Sequence, residues 1–214
     1  IDYNSRNNQG LTVQDSYNIR NDRGLSDFDA RHRVVLNGVY NLPFKGNRFV
    51  EGWELATIVQ LQTGNPMNFR TTNTGPTGQA TQRPNVSGPV PVGLFPAPSG
   101  SAAQVGYILN PGNYLLNPGN ALGNMGRNVV IGPGFSNVDF SLVKTTKITE
   151  RVSWQIRVDA FDLLNAANFT QPALNGGYPL AANTTVGVIT NGTRFPAGDS
   201  GSSRQLQLAM KLIF

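Results

Sequence analysis

Five stretches of the chain place apolar side chains at every second position, the period of a β-strand with one apolar and one polar face. The first, about 32–42, sets Val34, Leu36, Gly38, Tyr40 and Leu42 against Arg33, Val35, Asn37, Val39 and Asn41. The second, about 52–63, sets Trp53, Leu55, Thr57, Val59 and Leu61 against Glu54, Ala56, Ile58, Gln60 and Gln62. The third, about 136–145, sets Val138, Phe140 and Leu142 against Asn137, Asp139 and Ser141. The fourth, about 151–162, sets Val152, Trp154, Ile156, Val158 and Ala160 against Ser153, Gln155, Arg157 and Asp159. The fifth, about 204–214, sets Leu206, Leu208, Met210, Leu212 and Phe214 against Gln205, Gln207, Ala209 and Lys211.

These stretches are roughly twice the usual globular strand of about 5–6 residues, and they match the roughly 9–11 residues with which a tilted strand crosses a bilayer. The connections alternate in length. Short links run at 43–51 and 146–150, whereas Gly-, Pro- and Asn-rich stretches fill 64–135 and 163–203. Short turns at one end and long loops at the other are the habit of outer-membrane barrels. The pattern therefore predicts an all-β fold: an antiparallel meander of about five long strands forming part of a transmembrane β-barrel, with long extracellular loops at 1–30, 64–135 and 163–203. With the short turns on the periplasmic side, the fifth strand runs inward and Phe214 ends at the periplasmic rim. Five strands are too few to close a membrane barrel, whose smallest single-chain forms have roughly eight, and an open edge in lipid leaves backbone groups unsatisfied. The chain is thus expected to be the terminal part of a larger barrel rather than one protomer's share of an oligomeric one. A β-sandwich with a wet outer face would alternate in the same way.

Composition narrows the chemistry. Charged residues make up 14 % of the 214, against roughly 25 % in an average soluble domain. Cys is absent and His32 is the single histidine, which excludes disulfide scaffolds, thiolate sites and multi-histidine metal centres. No apolar run reaches the roughly 18 residues of a membrane helix. The net charge is +5, but the bases are scattered singly, so no nucleic-acid surface is expected. Neither a nucleophile–base pairing nor a phosphate-cradling glycine loop accompanies the acids, and no catalysis and no cofactor are assigned.

Several spaced motifs carry a family resemblance. Gly123-Asn124-Met125-Gly126-Arg127-Asn128 is followed by Gly132-Pro133-Gly134-Phe135, by Asp139-Phe140-Ser141-Leu142 with Lys144, and by Ile148-Thr149-Glu150-Arg151. Gln155-Ile156-Arg157-Val158-Asp159-Ala160-Phe161, Leu163-Leu164-Asn165 and Asn168-Phe169 come next. Upstream stand Asp27-Phe28-Asp29-Ala30-Arg31-His32-Arg33, Leu36-Asn37-Gly38-Val39-Tyr40, Leu42-Pro43-Phe44, Gly52-Trp53-Glu54-Leu55 and Gln62-Thr63-Gly64-Asn65-Pro66. In this order they resemble the C-terminal barrel segment of TonB-dependent outer-membrane receptors, in particular the Oar-like group with a carboxypeptidase-regulatory-like N-terminal domain. The resemblance covers most of 25–214 outside the loops. It implies a 22-stranded barrel filled by an N-terminal plug, with uptake of a scarce ligand driven through TonB. This sequence holds no plug, no TonB-contacting segment and no regulatory-like domain, so those parts are expected either to lie upstream or to be missing.

The candidate residues follow from the two faces. Arg33, Asn37, Glu54, Gln60, Asp139, Ser141, Gln155, Arg157, Asp159, Gln205, Gln207 and Lys211 are expected to line the lumen. Tyr40, Trp53 and Trp154 stand near the short-turn ends of their strands on the apolar face, where an aromatic girdle meets the membrane interface. Leu206, Leu208, Met210, Leu212 and the terminal Phe214 resemble the signal read by the barrel-assembly machinery. Avoidance of like charges across the ladder predicts Asp139 opposite Arg157 and Ser141 opposite Gln155, with an Asp139–Arg157 ion pair. Ligand recognition would fall to the loops, where Tyr107, Tyr114, Tyr178 and Phe195 among many Asn could stack on an oligosaccharide or a peptide, or surround a metal chelate. Two rival readings stand beside the receptor: a structural or adhesive cell-surface β protein, and a soluble carbohydrate-binding β-sandwich.

Overall fold

The computed structural model describes residues 13–71, 76, 82–97, 105–172, 175–176, 186–189 and 203–214. Two compact units emerge. One contains the long alternating stretches and the other is assembled from the segments between them.

The strand unit, His32–Gln62 with Phe135–Asn168 and Thr193–Phe214, is a single antiparallel sheet. Its strands are β1 (Arg33–Asn41), β2 (Trp53–Gln62), β3 (Phe135–Lys147), β4 (Ser153–Phe161) and β5 (Gln205–Ile213), and they neighbour one another in chain order. β2 and β3 pair from Gln62↔Phe135 to Trp53↔Lys144 although the whole of 63–134 separates them in sequence.

The register of β3 against β4 differs from the charge-based expectation. Ser141 faces Asp159 and Val143 faces Arg157, so Asp139 does not meet Arg157. The turn decides this. Thr145 and Thr146, both β-branched, continue the ladder to Lys147, which moves the connection to 148–152. There Thr149 Oγ1 accepts the N–H groups of Arg151 and Val152, and the Ile148 N–H donates to the Val152 carbonyl at 2.9 Å. A closed turn held by local bonds sets hairpin register more strongly than one ion pair across a wet face. Asp139 instead accepts the backbone N–H of Asp162 at 3.0 Å, where the chain leaves β4 through left-handed Asp162 and Asn165.

The second unit comprises Ile1–Arg31, Thr63–Gly134 and Phe169–Gly192. Its regular pieces are short. Pro66–Met67 pairs with Val130–Ile131, Asn85–Val86 with Leu115–Leu116, and Val105–Ile108 lies between Val92–Pro96 and Val188–Ile189. Asn175–Gly176 runs parallel to Arg70–Thr71. A dry core fills this unit: Met67, Phe69, Tyr107, Ile108, Leu115, Met125, Val130, Val186 and Ile189 are all buried. Segments rich in Gly, Pro and Asn therefore build a packed body. The duplicated tetrapeptide shows how context overrides sequence. Asn110-Pro111-Gly112-Asn113 opens a helical turn at Pro111–Tyr114, whereas Asn117-Pro118-Gly119-Asn120 bends at a left-handed Gly119 whose N–H meets Asn117 Oδ1.

Candidate functional site: two faces of one sheet and a loop-built unit

Pairing aligns the apolar positions of all five strands into continuous rows. One row reads Tyr40, Leu55, Leu142, Val158, Leu208, and its neighbour reads Gly38, Thr57, Phe140, Ala160, Leu206. Leu36, Val59 and Val138 form a third, and Thr146, Trp154 and Leu212 a fourth. The unit contains no described element besides these strands, so nothing within it covers this face. Leu36 and Leu208 keep 60 % and 72 % of their surface exposed. A continuous apolar face left exposed marks a surface that meets lipid or a partner.

Near the short turns the same face carries Tyr40, Trp53 and Trp154. Lys144, which alternation puts among the apolar residues, lies there over the Trp53 ring, its Nζ 5.4 Å from the centroid. The ammonium donates to the carbonyls of Arg48 and Glu51, so the aliphatic stem covers apolar surface while the charge reaches polar groups at the turn. Periodicity alone could not find this role. The signal was available, a lone charge on an apolar stripe beside a Trp, but it needs the β2–β3 register to be read.

The opposite face carries every residue expected in the lumen: Arg33, Asn37, Glu54 and Gln60 on β1 and β2, Asp139 and Ser141 on β3, Gln155, Arg157 and Asp159 on β4, and Gln205, Gln207 and Lys211 on β5. The face is mixed rather than uniformly polar, since Val35, Val39, Ile58 and Val143 share it. At its centre the Ser141 hydroxyl donates to the Asp159 carboxylate, which also accepts Arg157 Nε at 2.7 Å. The arginine thus pairs with the acid two residues on along its own strand, and its guanidinium stays half exposed. Gln155 donates to Thr145 Oγ1 at 3.2 Å and faces Lys211. Each buried polar group in this chain of contacts meets a partner. Leu206, Leu208, Met210 and Leu212 stand exposed along β5, an edge strand, with Phe214 just beyond it.

In the loop-built unit the motif residues bind one another. Asn128 Nδ2 donates to Asp27 Oδ1 at 2.5 Å and to the Leu25 carbonyl at 2.7 Å. Asn65 Nδ2 donates to the Asp29 carbonyl at 2.8 Å. A Cβ on Gly64 would lie 1.7 Å from the Gly132 carbonyl oxygen, and one on Gly123 would lie 1.9 Å from that of Arg83, so glycine is obligatory at both close approaches. Arg83 is the hub. Its guanidinium donates to Asp22 Oδ1 at 2.5 Å, to the Asn21 carbonyl at 2.9 Å and, through Nε, to the Met125 carbonyl at 2.7 Å. A cavity of about 330 Å³ adjoins it, bordered by Gln14, Asp15, Asn21, Gly123 and Asn124. Most of the bordering polar groups are already hydrogen-bonded within the unit.

The loop aromatics divide. Tyr107 is a core residue whose hydroxyl donates to the Ile131 carbonyl at 2.9 Å, so it is not available for stacking. Tyr114 is half-buried, while Tyr178 and Phe195 lie outside the described residues. Burial pushes the Tyr107 phenol above its ordinary value of 10.0. The folded chain therefore holds a proton that the unfolded chain releases above about pH 10, and the stability of this unit should fall as pH rises past that point. Tyr107→Phe should cost about 1 kcal/mol at neutral pH and remove that alkaline component. Thermal melts of both proteins at pH 8 and pH 11 provide the comparison, and an identical pH slope would contradict it.

His32 is exposed at the start of the strand unit, and no group of three or more metal-ligating side chains occurs among the described residues. Among the described residues no helix is long and apolar enough to cross a membrane. Residues 1–207 match the sequence model of a family described as outer membrane beta barrel domain. No curated protein and no solved structure matches the chain.

Proposed function

Because the chain belongs to the outer membrane β-barrel domain family, we propose that it forms a wall segment and ligand-facing loops of a TonB-dependent receptor of the Oar-like group. It resides in the bacterial outer membrane. In this reading the apolar face contacts lipid, the mixed face holds an upstream plug, and the packed loop unit screens an oligosaccharide, peptide or metal chelate. Leu206, Leu208, Met210, Leu212 and Phe214 would present the free edge of β5 to the assembly machinery.

The observation that carries it is the continuous apolar ladder across five strands with nothing in its unit to cover it. Strand direction adds a constraint. In a five-strand antiparallel meander β1 and β5 run the same way. Copies arranged about a common membrane axis would then meet through parallel pairing. An all-antiparallel closure needs an odd number of further strands, at least about three to reach the smallest barrels. That arithmetic favours further strands of one polypeptide over a ring of protomers, and it disfavours the adhesive oligomer.

A photoreactive amino acid at Gln207 or at Leu208 tests the assignment in cells. Position 208 should label lipid, and position 207 should label an upstream segment of the same polypeptide. Protein labelling from 208 would refute the lipid-facing assignment. Lipid labelling from 208 with no protein adduct from 207 would leave a barrel but remove the plugged receptor.

A further inference from the structure

All four lysines of the chain fall at the short-turn end of the sheet. Lys45 lies in the β1–β2 turn, Lys144 faces Trp53, Lys147 faces Ser153, and Lys211 faces Gln155. Arg48 and Arg151 join them, against Glu51, Glu54 and Glu150. The bases are not evenly placed. Lys45 and Arg48 share one turn, 42–52, with Phe44, Phe49 and Val50.

That turn is an ordered object. Asn47 Oδ1 accepts the N–H groups of Phe49 and Val50, and the Asn47 carbonyl accepts those of Val50 and Glu51. Trp53 Nε1 donates to the Phe49 carbonyl at 3.1 Å, and Lys144 Nζ ties down the Arg48 and Glu51 carbonyls. Gly52, left-handed at φ +79°, sits against the Thr145 carbonyl, where a side chain would not fit. All these bonds involve the backbone of the turn. Its own large side chains are spared: Phe49 is 83 % exposed, Phe44 and Val50 are exposed, and Lys45 and Arg48 are exposed without a side-chain partner among the described residues. A turn fixed from behind thus holds two aromatic rings and two cations outward, next to the apolar face that carries Tyr40 and Trp53.

We propose that the β1–β2 turn is an anchor for anionic phospholipid headgroups of the phosphatidylglycerol kind. Phe44 and Phe49 seat among the acyl-chain ends, as interfacial aromatics do, and Lys45 and Arg48 meet the phosphates. Lys144 acts behind them by fixing the turn, its ammonium hydrogen-bonded to carbonyls rather than to lipid. The proposal rests on the lipid-facing assignment of the apolar face, with the short turns on the phospholipid side of the membrane.

Trp53 reports on the site once Trp154 and every tryptophan outside these 214 residues are replaced by Phe. The full-length protein in nanodiscs is titrated with brominated phosphatidylglycerol or brominated phosphatidylcholine, and quenching of Trp53 gives a relative affinity. Phosphatidylglycerol should be preferred by about five- to thirtyfold at low salt, the range set by one to two basic side chains near a charged surface. The preference should fall to within about twofold in Lys45→Gln/Arg48→Gln, and should shrink in the unaltered turn as salt rises through a Debye length shorter than roughly 5 Å. Equal quenching by both lipids, or a preference that survives the double substitution, overturns the anchor while leaving the barrel intact. Absence of quenching by either lipid would instead refute the lipid-facing assignment on which the anchor rests.

Discussion

Arginine placed at Leu142 is expected to destabilise the folded protein in a bilayer by about 2–4 kcal/mol, the cost of a guanidinium on the lipid face near mid-membrane. Leu142 lies near the middle of β3, directly flanked in its row by Leu55 and Val158, neither of which offers an acceptor to a guanidinium. The adjacent position points the other way. Ser141→Arg enters the face of Asp159 and Gln207, where an acid and an amide can receive it, and its cost should stay within about 1 kcal/mol of the lost Ser141–Asp159 bond. Urea unfolding in lipid vesicles, followed by tryptophan fluorescence, measures both. The contrast between neighbours is the informative quantity. Similar losses at 141 and 142 would mean that the two faces meet the same solvent.

The second large effect belongs to the loop-built unit. Arg83→Met should cost about 3–5 kcal/mol, because it leaves the Asp22 carboxylate without its counter-charge, held only by the Gln14 N–H, in a site where both side chains are about 95 % buried. It also orphans the Asn21 and Met125 carbonyls. The pair is not expected to be worth that much in itself. Replacing both partners together, as Arg83→Met/Asp22→Leu, should recover a large part of the loss, since buried ion pairs often break even against apolar substitutes of similar size. Amide hydrogen exchange locates the damage. Protection should drop at 21–22, 83–86 and 123–126, segments that the arginine joins, while β1 to β5 keep theirs. Loss of protection throughout the sheet would show that the two units do not unfold separately.

Both effects bear on how much of the protein was legible in its residues. Alternation located all five long strands, because a sheet wet or lipidic on its two sides imposes a period of two that few other structures share. It also sorted every residue of the twelve-member polar set onto one face, since parity survives any even shift of register. Register itself was misjudged. An expected Asp139–Arg157 pair gave way to Ser141 opposite Asp159, because local bonds to Thr149 moved the turn by two residues. Lys144 was visible only as a motif residue until pairing placed it over Trp53.

The loops mark the sharper boundary. Tyr107 was recognisable as a loop aromatic, yet its burial against Met67, Phe69 and Leu115 could not be inferred. Close approaches such as Gly64 to Gly132, and bonds such as Asn128 to Asp27, span tens of residues with no periodic signature.

By itself, then, the amino-acid order determined the five long strands, their two faces and the membrane they imply, because repeating backbone geometry writes itself into neighbouring residues. Only the tertiary structure decided the hairpin register, the Arg83 hub and the dry core built from glycine- and asparagine-rich connections. These depend on single contacts between distant segments, whose energies are each a few kcal/mol or less and leave no pattern along the chain.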